Sequence, residues 1–374
     1  MADIGGPLTG TESDDFLIGD ARDLGDRGCD NYGNSGLFAL KGFGGNDIIV
    51  GDIYLEIGSD AEGDEIYGGD GNDIIYGDTA PDLTALGVST PYDGNPDWAV
   101  IGSSDKIYGD AGDDTVYGGG GFDEIYGGSG VDTLYGQAGT DYIYGDQGAD
   151  QIWGGGGGDQ VYGGAGGDTI EGGEGADSLY GEAFSSSTGD GGDTINGGSG
   201  NDDIRGGAGA DTLSGGADDD RISGGGLSSD ASNDKGDTCS GGAGDDVIDG
   251  NFGNDKINGG TGLDTLTGGD GNDQFIFLSV SDSRGANIDI ITDFNPNAAD
   301  RIDLSAIDAV PGGSDNEFTF RGSSGFNGVG QVRVVQDKAN GYTFIKISTD
   351  ADTGAEMTIR LNGVHTLDQG NFIL

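Results

Sequence analysis

The chain has 374 residues, 84 of them glycine, with 68 acidic side chains against 15 basic ones and a formal net charge of -53. That balance excludes nucleic acid as a partner, because phosphate binding needs clustered Lys and Arg, and no apolar run is long enough to cross a membrane as a helix. Hydrophobic residues make up only 33%, a level at which a chain without a repeating pattern stays disordered.

The pattern begins early. Within residues 1–99 an imperfect nine-residue beat appears as GTESDDFLI from Gly10, GFGGNDIIV from Gly42 and GGDGNDIIY from Gly68. Insertions interrupt it at 51–58 and 77–99. The second holds three of the chain's six prolines, together with Tyr92 and Trp98. Insertions between solenoid repeats often line a binding face, so these two aromatics are candidate ligand contacts.

From 100 to 276 the beat is regular. It runs unbroken from Gly109 to Tyr180, for example as GGSGVDTLY, GQAGTDYIY and GDQGADQIW. Shorter insertions follow at 181–187 and 224–231. Written G1-G2-x3-G4-x5-D6-x7-U8-x9, each unit is a glycine-rich turn, an Asp and one aliphatic residue. Glycine allows the positive φ and close backbone approach that a very tight turn needs. The segment x7-U8-x9 predicts a short strand with U8 pointing inward. Two nonapeptides make one coil, so repeats n and n+2 stack about 4.8 Å apart. The expected fold is all-β: a right-handed parallel β-roll with a β-rich C-terminal cap. A nonapeptide of this type is a Ca²⁺-binding repeat, since Ca²⁺ takes oxygen ligands of the kind Gly-Asp turns supply. Roughly 15–20 Ca²⁺ ions would offset much of the acidic charge. With one inward aliphatic per nine residues the core is thin, so metal binding should drive folding.

Position 9 carries Tyr108, Tyr126, Tyr144, Tyr162 and Tyr180 in one expected column and Tyr117, Tyr135 and Trp153 in another. After 188 the same position turns polar. The columns can stiffen the sheet by stacking or offer an aromatic platform for a sugar chain or a subunit. Cys239 occupies a U8 position, where it serves as a small buried hydrophobe. With Cys29 as the only other cysteine, no disulfide framework is expected.

Residues 277–374 change character. FTFRG (318–322), GQVRVVQD (330–337), YTFIKIST (342–349) and EMTIRLNG (356–363) predict half-buried strands. DRIDLSAI (300–307) predicts a short helical turn. The tail is expected to cover the open end of the roll, as repeat stacks require.

The repeats resemble the RTX (repeats-in-toxin) family of calcium-binding β-rolls. In the tail, DIITDFNPNAADRIDLSAID (289–308), GFNGVGQVRVV (325–335) and IRLNGVHTLDQGNFIL (359–374) resemble the C-terminal domain of serralysin-type metalloproteases. The resemblance implies that each calcium is held by a position-6 Asp and by backbone carbonyls of the turns. The residues carried over are Asp73, Asp114, Asp123, Asp132, Asp141, Asp150, Asp159, Asp168 and Asp177, then Asp193, Asp202, Asp211, Asp246, Asp255, Asp264 and Asp273. Asp64 and Asp105 sit in degenerate repeats, and the turn of Asp220 departs from the pattern through Asp218.

The resemblance also implies export by a type I system that reads an uncleaved C-terminal signal. The hydrophobic ending is kept in Asn371-Phe372-Ile373-Leu374, with Asn where relatives carry an acid. No basic-plus-apolar segment opens the chain, so no cleaved Sec signal is expected. A chain unfolded at low cytosolic calcium can be threaded out and fold outside.

A serralysin protease would need HExxH, and the chain has a single histidine, His365, expected to be a satisfied surface or cap residue. No G-x-S-x-G elbow is present either. The reading is therefore non-catalytic: a secreted or cell-surface calcium-binding structural or adhesive protein. The alternatives are an extracellular carbohydrate-binding module, using the aromatic columns or the 77–99 loop, and a polysaccharide-acting enzyme. The expected partners are calcium, the type I secretion machinery and an extracellular polysaccharide or cell surface.

Overall fold

The computed structural model describes residues 16–18, 39–50, 65–77, 104–182, 191–225, 235–310, 317–350 and 354–374. The 77–99 insertion from residue 78 onward, with Tyr92 and Trp98, lies outside these residues, as do Asp64 and Cys29. The chain forms two compact units, Met1–Gly191 and Gly192–Leu374.

In the first unit successive strands alternate between two parallel sheets. One runs Phe16–Ile18, Ile48–Val50, Ile74–Tyr76, Thr115–Gly121, Thr133–Gly139, Gln151–Gly156, Thr169–Glu174. The other runs Ala39–Gly44, Glu65–Asp70, Lys106–Ala111, Glu124–Ser129, Tyr142–Gln147, Gln160–Ala165, Ser178–Glu182. The register places like positions side by side: Ile143 pairs with Ile125 and Val161, and Tyr144 with Tyr126 and Tyr162. The U8 side chains form the core, with Ile107, Val116, Ile125, Leu134, Ile143, Ile152, Val161 and Leu179 all fully buried.

Most strands of the regular run are longer than x7-U8-x9. Tyr142–Gln147 continues through Gly145 to position 3, because the first glycine of the next unit has no side chain to break the parallel ladder. The chain then turns at two positive-φ positions. Position 2 takes φ 108° at Gly128 and, where glycine is replaced, 72° at Asp110, 78° at Gln137 and 70° at Asp146. Position 4 takes values such as 146° at Gly130, where a Cβ would lie 1.7 Å from the Gly112 carbonyl oxygen. That position admits glycine on both steric and conformational grounds.

The second unit repeats the plan. Thr194–Ser199, Thr212–Ala217, Thr238–Ala243, Lys256–Thr261, Gln274–Ile276, Arg301–Asp303 and Phe372–Ile373 make one parallel sheet. Asp203–Arg205, Arg221–Ser223, Val247–Asp249, Thr265–Thr267 and Ile290–Ile291 make the parallel part of the other. Met357–Asn362 extends this sheet in parallel and is followed by antiparallel Tyr342–Ser348 and Gln331–Asp337. Cys239 lies in the core between Leu213 and Ile257, as a U8 residue should.

The tail corrects one expectation. Residues 301–303 form a strand, and only 304–307 turn, closed by the Ile307 N–H on the Leu304 carbonyl at 3.0 Å. Ile302 pairs with Phe275 and Phe372 and is fully buried. It continues the U8 column, and the parallel ladder overrides the local preference of the segment. Of FTFRG only Thr319–Phe320 is strand. The other three predicted strands stand.

Candidate metal centre

The position-6 aspartates form ladders. The backbone N–H of each donates to Oδ1 of the Asp one coil further along. In the first unit Asp47 donates to Asp73, Asp73 to Asp114, Asp114 to Asp132, Asp132 to Asp150 and Asp150 to Asp168, at 2.7–2.8 Å. On the other edge Asp105 donates to Asp123, Asp123 to Asp141, Asp141 to Asp159 and Asp159 to Asp177, at 2.8–2.9 Å. In the second unit one ladder runs Asp193, Asp211, Asp237, Asp255, Asp273. The other runs Asp202, Asp220, Asp246, Asp264.

One carboxylate oxygen is thereby occupied. In Asp73, Asp114, Asp132, Asp141, Asp150, Asp159, Asp220, Asp246, Asp264 and Asp273 the second, Oδ2, is buried and accepts no hydrogen bond from the described residues. A buried carboxylate oxygen without a donor is costly. What lies beside Oδ2 is the G1 turn. A Cβ built on Gly127 would sit 2.6 Å from Asp132 Oδ2 and 2.8 Å from the Gly145 carbonyl oxygen. The pair recurs at Gly68 with Asp73 Oδ2 and Gly109 O, at Gly145 with Asp150 Oδ2 and Gly163 O, and at Gly241 with Asp246 Oδ2 and Gly259 O. Asp123, Asp168, Asp202, Asp211 and Asp255 present Oδ2 to Gly118, Gly163, Gly197, Gly206 and Gly250 in the same way. Each turn thus aims a carboxylate oxygen and a carbonyl oxygen of the next coil at one small gap that only glycine leaves open.

These oxygens fit a hard divalent cation. Among the described residues no three His, Cys, Asp or Glu side chains gather to hold a metal; the carbonyl oxygens beside Oδ2 are further ligands of the kind Ca²⁺ takes. Without a cation, burial holds the carboxyls far above the ordinary Asp range. Desolvation raises Asp73, Asp132, Asp141, Asp168, Asp246 and Asp273 to about 6. Asp150, Asp159, Asp220 and Asp264 rise to about 7, and Asp114 to about 8. Burial is the leading cause throughout, opposed by the N–H donated to Oδ1.

Several positions exceed the sequence expectation. Asp47, Asp105, Asp220 and Asp237 share the ladder geometry although their repeats are imperfect or interrupted. Past the last repeat, Asp264 N–H donates to Asp289, whose buried Oδ2 is likewise without a donor and whose carboxyl is pushed to about 8. The Asp-Ile-Ile run at 289–291 was the available signal. On the other edge Asp273 N–H donates to Asp300, but there Asn295 N–H closes on Oδ2 at 2.7 Å. The protein itself ends that ladder.

The position-9 rings stack as two columns. Tyr67, Tyr108, Tyr126, Tyr144, Tyr162 and Tyr180 follow one another at 4.7–5.1 Å between centroids, within 10° of parallel. Tyr76, Tyr117, Tyr135 and Trp153 form the second column, within 12°. The ring faces engage one another, and Tyr162 is only 2% exposed. His365 donates its Nε2–H to the Asn362 carbonyl oxygen and meets Phe294 edge-on, a packing role in the tail.

The profile of the RTX calcium-binding nonapeptide repeat matches residues 60–83, 102–125, 117–152, 126–161, 153–185, 187–222 and 233–276, together half of the chain. Among solved structures, the solution structure of the AlgE6R3 subunit of the Azotobacter vinelandii mannuronan C5-epimerase shares 30% identity, over 42% of this chain and 78% of that one, with a TM-score of 0.30. The AlgE6R2 subunit of the same enzyme shares 28%, over 43% and 91%, with a TM-score of 0.31. No curated protein matches the chain.

Proposed function

The chain belongs to the RTX calcium-binding nonapeptide repeat family, and from that premise we propose that it is a secreted structural or adhesive protein that folds when it meets calcium outside the cell. The observation that carries this is the buried Oδ2 of Asp73, Asp114, Asp132, Asp141, Asp150, Asp159, Asp220 and Asp246, each without a donor among the described residues and beside a carbonyl of the next coil. In this reading the aspartates named from the sequence, joined by Asp47, Asp105, Asp220, Asp237 and Asp289, each contribute Oδ2, and the G1 carbonyls complete the shell. Bound Ca²⁺ supplies the charge that the buried carboxylates lack. The chain's own part is positional: N–H donation to Oδ1 fixes each carboxylate, and the glycine turn leaves the gap. The role is binding, not catalysis.

The tail acts as the cap and, by its likeness to serralysin-type C-terminal domains, carries the type I export signal. Low cytosolic calcium keeps the chain threadable, and millimolar calcium outside folds it. The test is a calcium titration of the chelated protein followed by far-UV circular dichroism and calorimetry. We expect a cooperative gain of β-structure and many calcium equivalents per chain. A β-spectrum already complete in EDTA would overturn coupled folding.

A further inference from the structure

The chain has few cations, yet four of them crowd one face of the C-terminal antiparallel sheet. Arg333 stands directly opposite Lys346, and Lys346 opposite Thr358. Arg321 donates its N–H to the Val332 carbonyl and so continues the row beside Arg333. Arg360 follows on the same face, opposite Phe344.

None of the four makes an ion pair among the described residues, although the chain carries 68 acidic side chains. The Nε atoms of Arg321, Arg333 and Arg360 are buried without an acceptor among the described residues. The nearby acids are engaged elsewhere: Asp337 by Asn340, and Glu356 by the Thr349 N–H. Like charges placed directly opposite in a sheet are destabilising, so the row costs stability. The guanidiniums are also held in place: Arg333 lies over Phe326 at 5.2 Å and Arg360 over Tyr342 at 4.8 Å. Stacking of this kind fixes the guanidinium plane and leaves its outer edge for a bidentate anion.

We propose that this face binds an acidic polysaccharide, with uronate carboxylates on the Arg321–Arg333–Lys346 row and a sugar face against Phe344. Charge complementarity selects an anionic partner. The adjoining aromatic ring selects sugar over acidic polypeptide, because a sugar presents both a carboxylate and an apolar C–H face. Strand spacing of about 4.8 Å sets the cations at the scale of one sugar ring. The proposal rests on the calcium-folded reading only in needing a folded sheet.

The test is calorimetry of the full chain in saturating calcium with a short oligogalacturonate, alongside dextran and polyglutamate. Oligogalacturonate should bind, more weakly as salt rises, and dextran should not. The Arg333→Gln/Lys346→Gln variant should lose about tenfold or more in affinity, while calcium-induced circular dichroism is unchanged and thermal stability is equal or higher. If that variant fails to fold, Lys346→Gln alone should weaken binding severalfold. The proposal is overturned by undiminished binding in the folded variants, by equal binding of dextran, by polyglutamate binding as well as the sugar, or by no binding in a protein that folds normally with calcium. A protein that fails to fold with calcium overturns the earlier reading instead.

Discussion

Replacing Asp150 by Asn should move metal-free and calcium-bound stability in opposite directions. Asp150 Oδ1 accepts the Asp132 N–H at 2.8 Å, while Oδ2 is buried near the Gly163 carbonyl oxygen. Asn keeps the acceptor and turns Oδ2 into an N–H₂ group that the carbonyl can accept from. In the metal-free fold, burial raises Asp150 from 3.8 to about 7. Each pKa unit is worth about 1.4 kcal/mol, so ionised Asp150 costs that fold on the order of 4 kcal/mol at pH 8. Asn removes this cost and one charged calcium ligand together. The assay is osmolyte-induced folding of wild type and variant in EDTA, read by circular dichroism, with calcium stoichiometry from calorimetry. We expect the variant to fold at lower osmolyte concentration without calcium, to bind fewer calcium equivalents, and to gain less stability from saturating calcium. A variant that folds less readily in EDTA, or that keeps full stoichiometry, would refute the assignment of Oδ2 as a metal-facing atom.

Three further outcomes follow from the same geometry. Carboxyls raised by folding stabilise the folded state fully below their unfolded pKa of about 4 and lose that effect as pH rises through their folded values, here about 6 to 8. Desalted metal-free protein should therefore gain β-structure on going from pH 8 to pH 5 while its calcium affinity falls, and loss of structure on acidification would contradict the burial argument. Gly127→Ala places a methyl 2.6 Å from Asp132 Oδ2 and 2.8 Å from Gly145 O; it should cost about 1–3 kcal/mol of overpacking and raise the calcium midpoint, whereas an unchanged titration would show that the gap is unused. Tyr117→Ala interrupts two ring stacks, with Tyr76 and Tyr135, and Tyr76→Ala one. At about 0.5–1.5 kcal/mol per stack, the mid-column variant should lose about twice the stacking contribution, measured as melting temperature in calcium.

Much of this was legible in the residues. Ile125, Ile143 and Cys239 are inward because U8 recurs at nine, and Asp132 or Asp150 lies at the turn because D6 does. The direction of the Asp relay was not legible, since nothing in a nonapeptide says which oxygen faces the next N–H. The extension to Asp289 and Asp300 was hidden by spacing: 25 and 27 residues separate them from Asp264 and Asp273, against 18 elsewhere. Arg301–Asp303 looked helical because its partners, at 274–276 and 372–373, are remote in sequence. The cation row needed the antiparallel register, which brings Arg333 to Lys346 across a hairpin.

The relay from one Asp to the next also survives irregular chain length. Asp73 reaches Asp114 across 41 residues, and Asp211 reaches Asp237 across 26, through the same bond that otherwise spans 18. Stretching a closed loop from 18 to 41 residues costs only on the order of 0.7 kcal/mol. Each coil is thus recognised by its neighbour and not by a residue count. A foreign peptide spliced between Asp211 and Asp237 should leave the same bond joining both coils, so the fold separates the recognition of a coil from its length and can carry inserted cargo.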